Sequence, residues 1–143
     1  MTHSAHFLLS AVWLASILVG ILVQLRWAAR DPSTRTTRAA LHWKLDAFIK
    51  APAFLGVFAS GAFMLSSPHA TGPAFLAMIL PGVMSVFLGV FGIWLAYKRQ
   101  VAARTQKWAS FERVDQLERR LELLVLLGVL VAIAAGIQIG AAA

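Results

Sequence analysis

The chain contains no cysteine, which removes disulfide scaffolds, thiolate metal sites, iron–sulfur clusters and thiol nucleophiles from consideration. Acidic residues are scarce, six against thirteen Lys and Arg in 143 residues. Charged side chains total 13%, about half the usual share of a water-soluble domain. Paired carboxylates at glycosidase-like spacing, a glycine-rich phosphate loop and a Ser/His/Asp constellation are also missing. What the chain has instead is apolar: 59% of residues and a mean hydropathy of +0.75. One domain spanning 1–143 is the expectation from that length.

All nineteen charged residues fall in two windows, Arg26–Lys50 and Lys98–Glu122, and residues 1–25, 51–97 and 123–143 carry none. About 20 apolar residues cross a bilayer as a helix. The first and third uncharged stretches each supply one span. The middle stretch as a single helix would reach roughly 70 Å, more than twice the hydrocarbon thickness. It must therefore hold two spans and a turn, and Ser66-Ser67-Pro68-His69-Ala70-Thr71-Gly72-Pro73 is dense in helix breakers. The prediction is an all-α integral membrane four-helix bundle with spans at about 5–27, 42–66, 74–99 and 109–140.

Both charged windows read as loops on one side, and the excess of basic residues assigns that side to the cytoplasm. Both termini and the 66–73 turn then lie outside, in the bacterial cytoplasmic (inner) membrane. Arg26 and Arg30 follow the first apolar run rather than precede it, so that run is expected to be a retained span and not a cleaved signal peptide. The net charge of +7 is topological on this reading. Without aromatic interleaving in the basic windows, no nucleic acid partner is expected. Trp108, Phe111, Val114, Leu117, Leu121 and Leu124 recur at three- and four-residue steps, predicting an amphipathic cytoplasmic extension of helix four. Asp115 and Arg119 form an i,i+4 pair on it.

Small residues four apart let helices approach closely: Ser16/Gly20, Gly56/Ser60, Ser85/Gly89 and Ala132/Gly136/Gly140. Pro81 is expected to kink the third span and Pro52 to bend the second. No ionisable residue is expected deep in the spans, which counts against a proton pump or an ion-coupled transporter. The histidines are what remains for chemistry. His3 and His6, His69, Met64, Met78 and Gln138 are all predicted at the outer level, and imidazole with thioether suits haem iron or copper. His6 and Trp13 are seven residues apart and share one helix face.

The run His6-Phe-Leu-Leu-Ser-Ala-Val-Trp13-Leu-Ala-Ser16 resembles the first helix of the bacterial four-helix membrane protoporphyrinogen oxidases (J-type). Ile49-Lys50-Ala51-Pro52-Ala53-Phe54, with Gly61 nine residues after the proline, resembles their second helix, and the copper-resistance D-type membrane domains share the four-span layout. The resemblance covers roughly residues 4–65. It implies haem b, a tendency to oligomerise, and His6 as an axial ligand, with His69, Met78 or Met64 as the other and Trp13 lining the site. The third helix departs from the pattern. Where that family has Trp-Leu-His-x-Lys, this chain reads Phe75-Leu76-Ala77-Met78-Ile79, without the lysine associated with the oxidase reaction.

Three functions follow as expectations. The first is a haem-b membrane redox protein exchanging electrons with a quinone or a porphyrin. The second is a non-enzymatic subunit of a larger membrane complex or homo-oligomer. The third is copper handling through His3, His6, His69 and Met64.

Overall fold

The computed structural model describes residues 2–26, 31–64 and 73–142, and every regular element among them is helical. Helix α1 is Thr2–Arg26, α2 is Pro32–Leu45, a π-helical turn covers Asp46–Lys50, and α3 is Ala51–Met64. Helices α4 and α5 are Pro73–Arg104 and Trp108–Ala142. With α2, the π turn and α3 running on without a break, the chain forms four long rods. Four segments are long and apolar enough to cross a membrane: Ser4–Leu25, Pro32–Phe63, Phe75–Arg104 and Trp108–Gln138. Most of the expected 66–73 turn, including His69, lies outside the described residues.

The main correction concerns the charged windows. The first is not a long loop, and the second is helical as its periodicity led one to expect. From Pro32 to Lys50 the first is helical, and the second is interrupted only at Thr105–Lys107. Local chemistry explains where these helices start and stop. Asp31 caps α2, accepting the Thr34 N–H at 3.0 Å, and Pro32 takes the first helical position, where no donor is required. The Ser33 hydroxyl is the largest influence holding the Asp31 carboxyl below its ordinary pKa, with the Thr34 N–H next. At the end of α4, Gln106 adopts φ 54°. Lys107 N–H donates to Ala102 O at 2.9 Å and Gln106 N–H to Ala103 O at 3.2 Å, the paired bonds of a left-handed C-terminal cap.

The α4–α5 hairpin is antiparallel, shown by contacts that descend in register. Leu121 approaches Gly92, Ser85 approaches Gly128, and Met78 approaches Gly136. Helix α1 runs against α3 in the same sense, with Leu9 in the notch at Gly56 and His6 beside Gly61. The small-residue positions thus serve contacts within the chain. One apolar core joins Trp13 and Ile17, Ala53 and Phe54, Val125 and Val129; a smaller one joins Ala39, Ala102, Ala103 and Phe111 at the charged end. Outward faces remain strongly apolar at Phe7, Leu22, Phe58, Leu80, Phe87 and Leu127, a composition suited to contact with lipid. Pro81 lies within α4. Pro52 has no N–H to return to the preceding turn, and the π turn immediately precedes it, with Ala51 N–H bonded to Asp46 O.

Candidate functional site

Between the two apolar cores lies a layer of buried charge, the second correction to the sequence reading. Arg38, His42, Asp46, Lys50, Arg99, Asp115, Glu118 and Glu122 are all buried, as is Gln24. The helical repeat assembles them. His42, Asp46 and Lys50 step by four along α2 and the π turn. Asp115, Glu118 and Glu122 step by three and four along α5, on the face that also buries Phe111, Leu121 and Val125. Leu117 and Leu124, expected on the same apolar face as Phe111 and Leu121, are 46% and 55% exposed. The expected Asp115–Arg119 pair is present at 2.9 Å.

The contacts run without a gap from the rim inward. Asp115 binds Arg38 at 3.1 Å, Arg99 at 2.8 Å and Arg119 at 2.9 Å. Arg99 Nη1 also lies 3.1 Å from Glu118 Oε2, and Glu118 Oε1 is 3.0 Å from His42 Nδ1. His42 further approaches Asp46 at 3.6 Å and, through Nε2, Glu122 at 3.5 Å. Lys50 Nζ is clasped by Asp46 and by Glu122, the latter at 2.8 Å. Gln24 Nε2 donates to Glu122 Oε2 at 2.7 Å and sits 3.3 Å from His42 Nε2.

The layer sits within the apolar part of the rods. A Cβ on Gly20 would meet His42 Nε2 and Glu122 Oε1 at 3.1 Å each, and Gly20 precedes Leu25 by about 7 Å of helix. Gly89, which lines a small cavity of about 20 Å³ beside Lys50, Glu118 and Glu122, precedes Trp94 by a similar length. Trp43 and Tyr97 rings meet at 5.4 Å, and Lys98 lies over Trp94 at 5.3 Å, so aromatic residues mark the border of the apolar segment.

Four of these residues offer metal-ligating atoms to a common point. One atom each from His42, Asp46, Glu118 and Glu122 lies within 4.8 Å of the others. Ligands on opposite sides of an ion at about 2.1 Å are separated by about 4.2 Å, so a closure of roughly half an ångström would complete the shell. The two helices present the ligands as two i,i+4 pairs, and bundle interiors hold ions by side chains projecting from facing helices. Three ligand atoms there, His42 Nδ1 and both oxygens of Glu118, are buried without a hydrogen bond of good geometry. Their ion-pair distances of 3.0 and 3.1 Å are met at poor angles, and such under-satisfied buried groups call for an ion or a water.

The residues singled out from the sequence are dispersed. His6 is half-buried, its Nδ1 2.8 Å from Ser60 Oγ, facing α3. Trp13 fills the core against Phe54, ring centroids 6.0 Å apart, and its indole N–H has no acceptor among the described residues. Met78 packs toward Gly136 on α5, a different helix pair from that of His6. The side chains of His3 and Met64, like all of His69, lie outside the described residues. Leu9 and Phe54 occupy the notches at Gly56 and Gly89, so the space between α1 and α3 below His6 is filled by the chain itself. The four-residue site escaped the sequence reading because His42 and Asp46 fell at the inner end of the second span and Glu118 and Glu122 on the cytoplasmic extension of helix four, positions at the border of the apolar segment rather than within it. The available signal was acids and a histidine at helical spacing on otherwise apolar faces.

No family model, curated protein or solved structure matches this chain.

Proposed function

We propose that this is a four-span membrane protein that binds a divalent metal ion inside the bundle, through His42, Asp46, Glu118 and Glu122. The observation that carries the reading is the convergence of those four buried donors within 4.8 Å, at a depth where ionisable groups are costly and usually functional. One imidazole and three carboxylates form a hard N/O set, which suits Mn²⁺, Fe²⁺ or Zn²⁺ and disfavours Cu⁺. Charge supports a cation. Four buried carboxylates face three buried cations, Arg38, Lys50 and Arg99, which leaves the buried groups one negative charge in excess, while the half-exposed Arg119 bonds Asp115 from the rim. With the basic windows at the cytoplasmic side, the ion would be reached from the cytoplasm. The test is Mn²⁺ binding to detergent-purified protein by electron paramagnetic resonance, with metal analysis of the same sample. One ion per chain is expected, lost in His42→Ala and Glu118→Gln and kept in His6→Ala. Binding absent from the wild type, or unchanged in His42→Ala, overturns the reading.

A second reading keeps haem b at His6. It is favoured by the Ser60 hydroxyl that fixes the His6 ring next to Gly61, whose missing side chain leaves that ring clear. Redox exchange with a quinone or porphyrin belongs to this reading. An oxidised and a dithionite-reduced absorption spectrum tests it: sharp reduced α and β bands, abolished by His6→Ala, support it, and a flat spectrum after haem-supplemented expression removes it.

A further inference from the structure

The Lys50 ammonium sits where the metal reading needs a cation. It is clasped between Asp46 and Glu122, two of the four ligand residues, at 2.8 Å from the second. From this we infer that Lys50 is a tethered cation that competes with the divalent ion for the site, and that the π turn is the mount that holds it there. The inference rests on the metal reading above and adds its regulation.

Backbone geometry explains why Lys50 reaches the site at all. In an α-helix a four-residue step overshoots a full turn by roughly 40°. His42 to Asp46 is such a step. A second would carry Lys50 further round, off the line that faces Glu122. The π turn closes with i→i+5 bonds, seen here as Ala51 N–H to Asp46 O, and so rotates less per residue. The step from Asp46 to Lys50 therefore turns back what the previous step gained. His42, Asp46 and Lys50 end in one line facing α5. Relaxing that turn to α geometry would swing Lys50 off the site without moving His42.

Among the fully buried groups, Arg119 at the rim apart, charge favours the exchange. With Lys50 in place, the buried groups sum to minus one, from four carboxylates against Arg38, Lys50 and Arg99. With a divalent ion in place and Lys50 withdrawn, four carboxylates face Arg38, Arg99 and two metal charges, which sum to zero. The cavity beside Lys50, lined by Gly89 and Gly92 as well as Glu118 and Glu122, gives the side chain or a metal-bound water somewhere to go, since it holds about one water.

The experiment is Mn²⁺ affinity of the full-length, detergent-purified chain in wild type, Lys50→Met and Lys50→Arg. Removing a unit charge this close is expected to tighten Mn²⁺ binding at least about tenfold in Lys50→Met, whereas Lys50→Arg, which keeps the charge, stays at or below wild type. Equal affinity in wild type and Lys50→Met overturns the tethered-cation inference while leaving the metal site standing. Absence of Mn²⁺ from both removes the metal reading itself. Should Lys50→Met fail to fold, hydrogen exchange on the wild type decides: Mn²⁺ is expected to alter exchange over residues 47–51, and an unchanged rate there overturns the mount.

Discussion

Asp115 holds three cations at once: Arg38, Arg99 and Arg119 all bond its two oxygens within 3.1 Å. Removing one partner of a buried ionic cluster strands the rest, which typically costs about 3–5 kcal/mol. Asp115→Asn is expected to destabilise the protein by that order, because two of the stranded guanidinium groups are buried. By contrast, Glu112→Gln breaks only the exposed pair with Arg35 and is expected to change stability by less than about 1 kcal/mol. Thermal unfolding of both variants in one detergent checks the contrast, and equal losses would contradict it. The same scale explains why the site was hidden in the sequence. Nothing about Glu118 or Glu122 alone separates a buried ligand from a solvated helix residue. Only their place beside Leu121 and Val125 on one face does.

At the scale of elements, the helices are set by local rules and their ends by a few residues. Asp31, Pro32 and Thr34 start α2. Gln106 ends α4 with a positive φ of 54°, a conformation glycine takes without a Cβ penalty. Gln106→Gly is therefore expected to stabilise the α4–α5 turn, by about 0.5–1 kcal/mol, measured as a rise in the thermal midpoint. A fall would mean that the Gln106 side chain contributes something its backbone does not reveal. The π turn is the element that sequence rules did not anticipate. Pro52 signalled a bend, yet the local response is a widened turn just ahead of it that keeps the rod continuous and redirects Lys50. Gly128 makes a comparable point across helices. A Cβ there would collide with the Ser85 side chain and come within 3.3 Å of Pro81 O, so the α4–α5 spacing depends on its absence.

For the whole molecule, the testable matter is how the bundle sits in a membrane. The apolar rods carry their exposed basic residues, Lys44, Lys98, Arg104, Lys107, Arg113 and Arg120, toward one end. The positive-inside bias predicts that end at the cytoplasmic side. A chain without native cysteine offers a clean background for labelling. Lys107→Cys in intact cells is expected to resist a membrane-impermeant maleimide and to react once the membrane is opened, while Ser4→Cys reacts from outside. The reverse pattern would invert the topology and place the metal site on the outer side.

The sequence alone determined the number of rods, because spans need about 20 uncharged residues and only three uncharged stretches exist, one of them double length. It also marked the four-residue small pairs as points of close helix approach, since spacing along a helix is local, whereas Trp13, expected beside a haem, is placed in the core against Phe54 only by the tertiary structure. What the sequence could not decide was the fate of the charges. A charged window between apolar runs has the same composition whether it forms a loop or extends two helices, and the difference lies in partners remote in the chain. His42 is buried because Gln24, Glu118 and Glu122 arrive from two other rods, and Lys50 faces Glu122 because one turn adopts π geometry. Only tertiary packing brings those donors together, because desolvating a charge is tolerable only where opposite charges from neighbouring helices meet it.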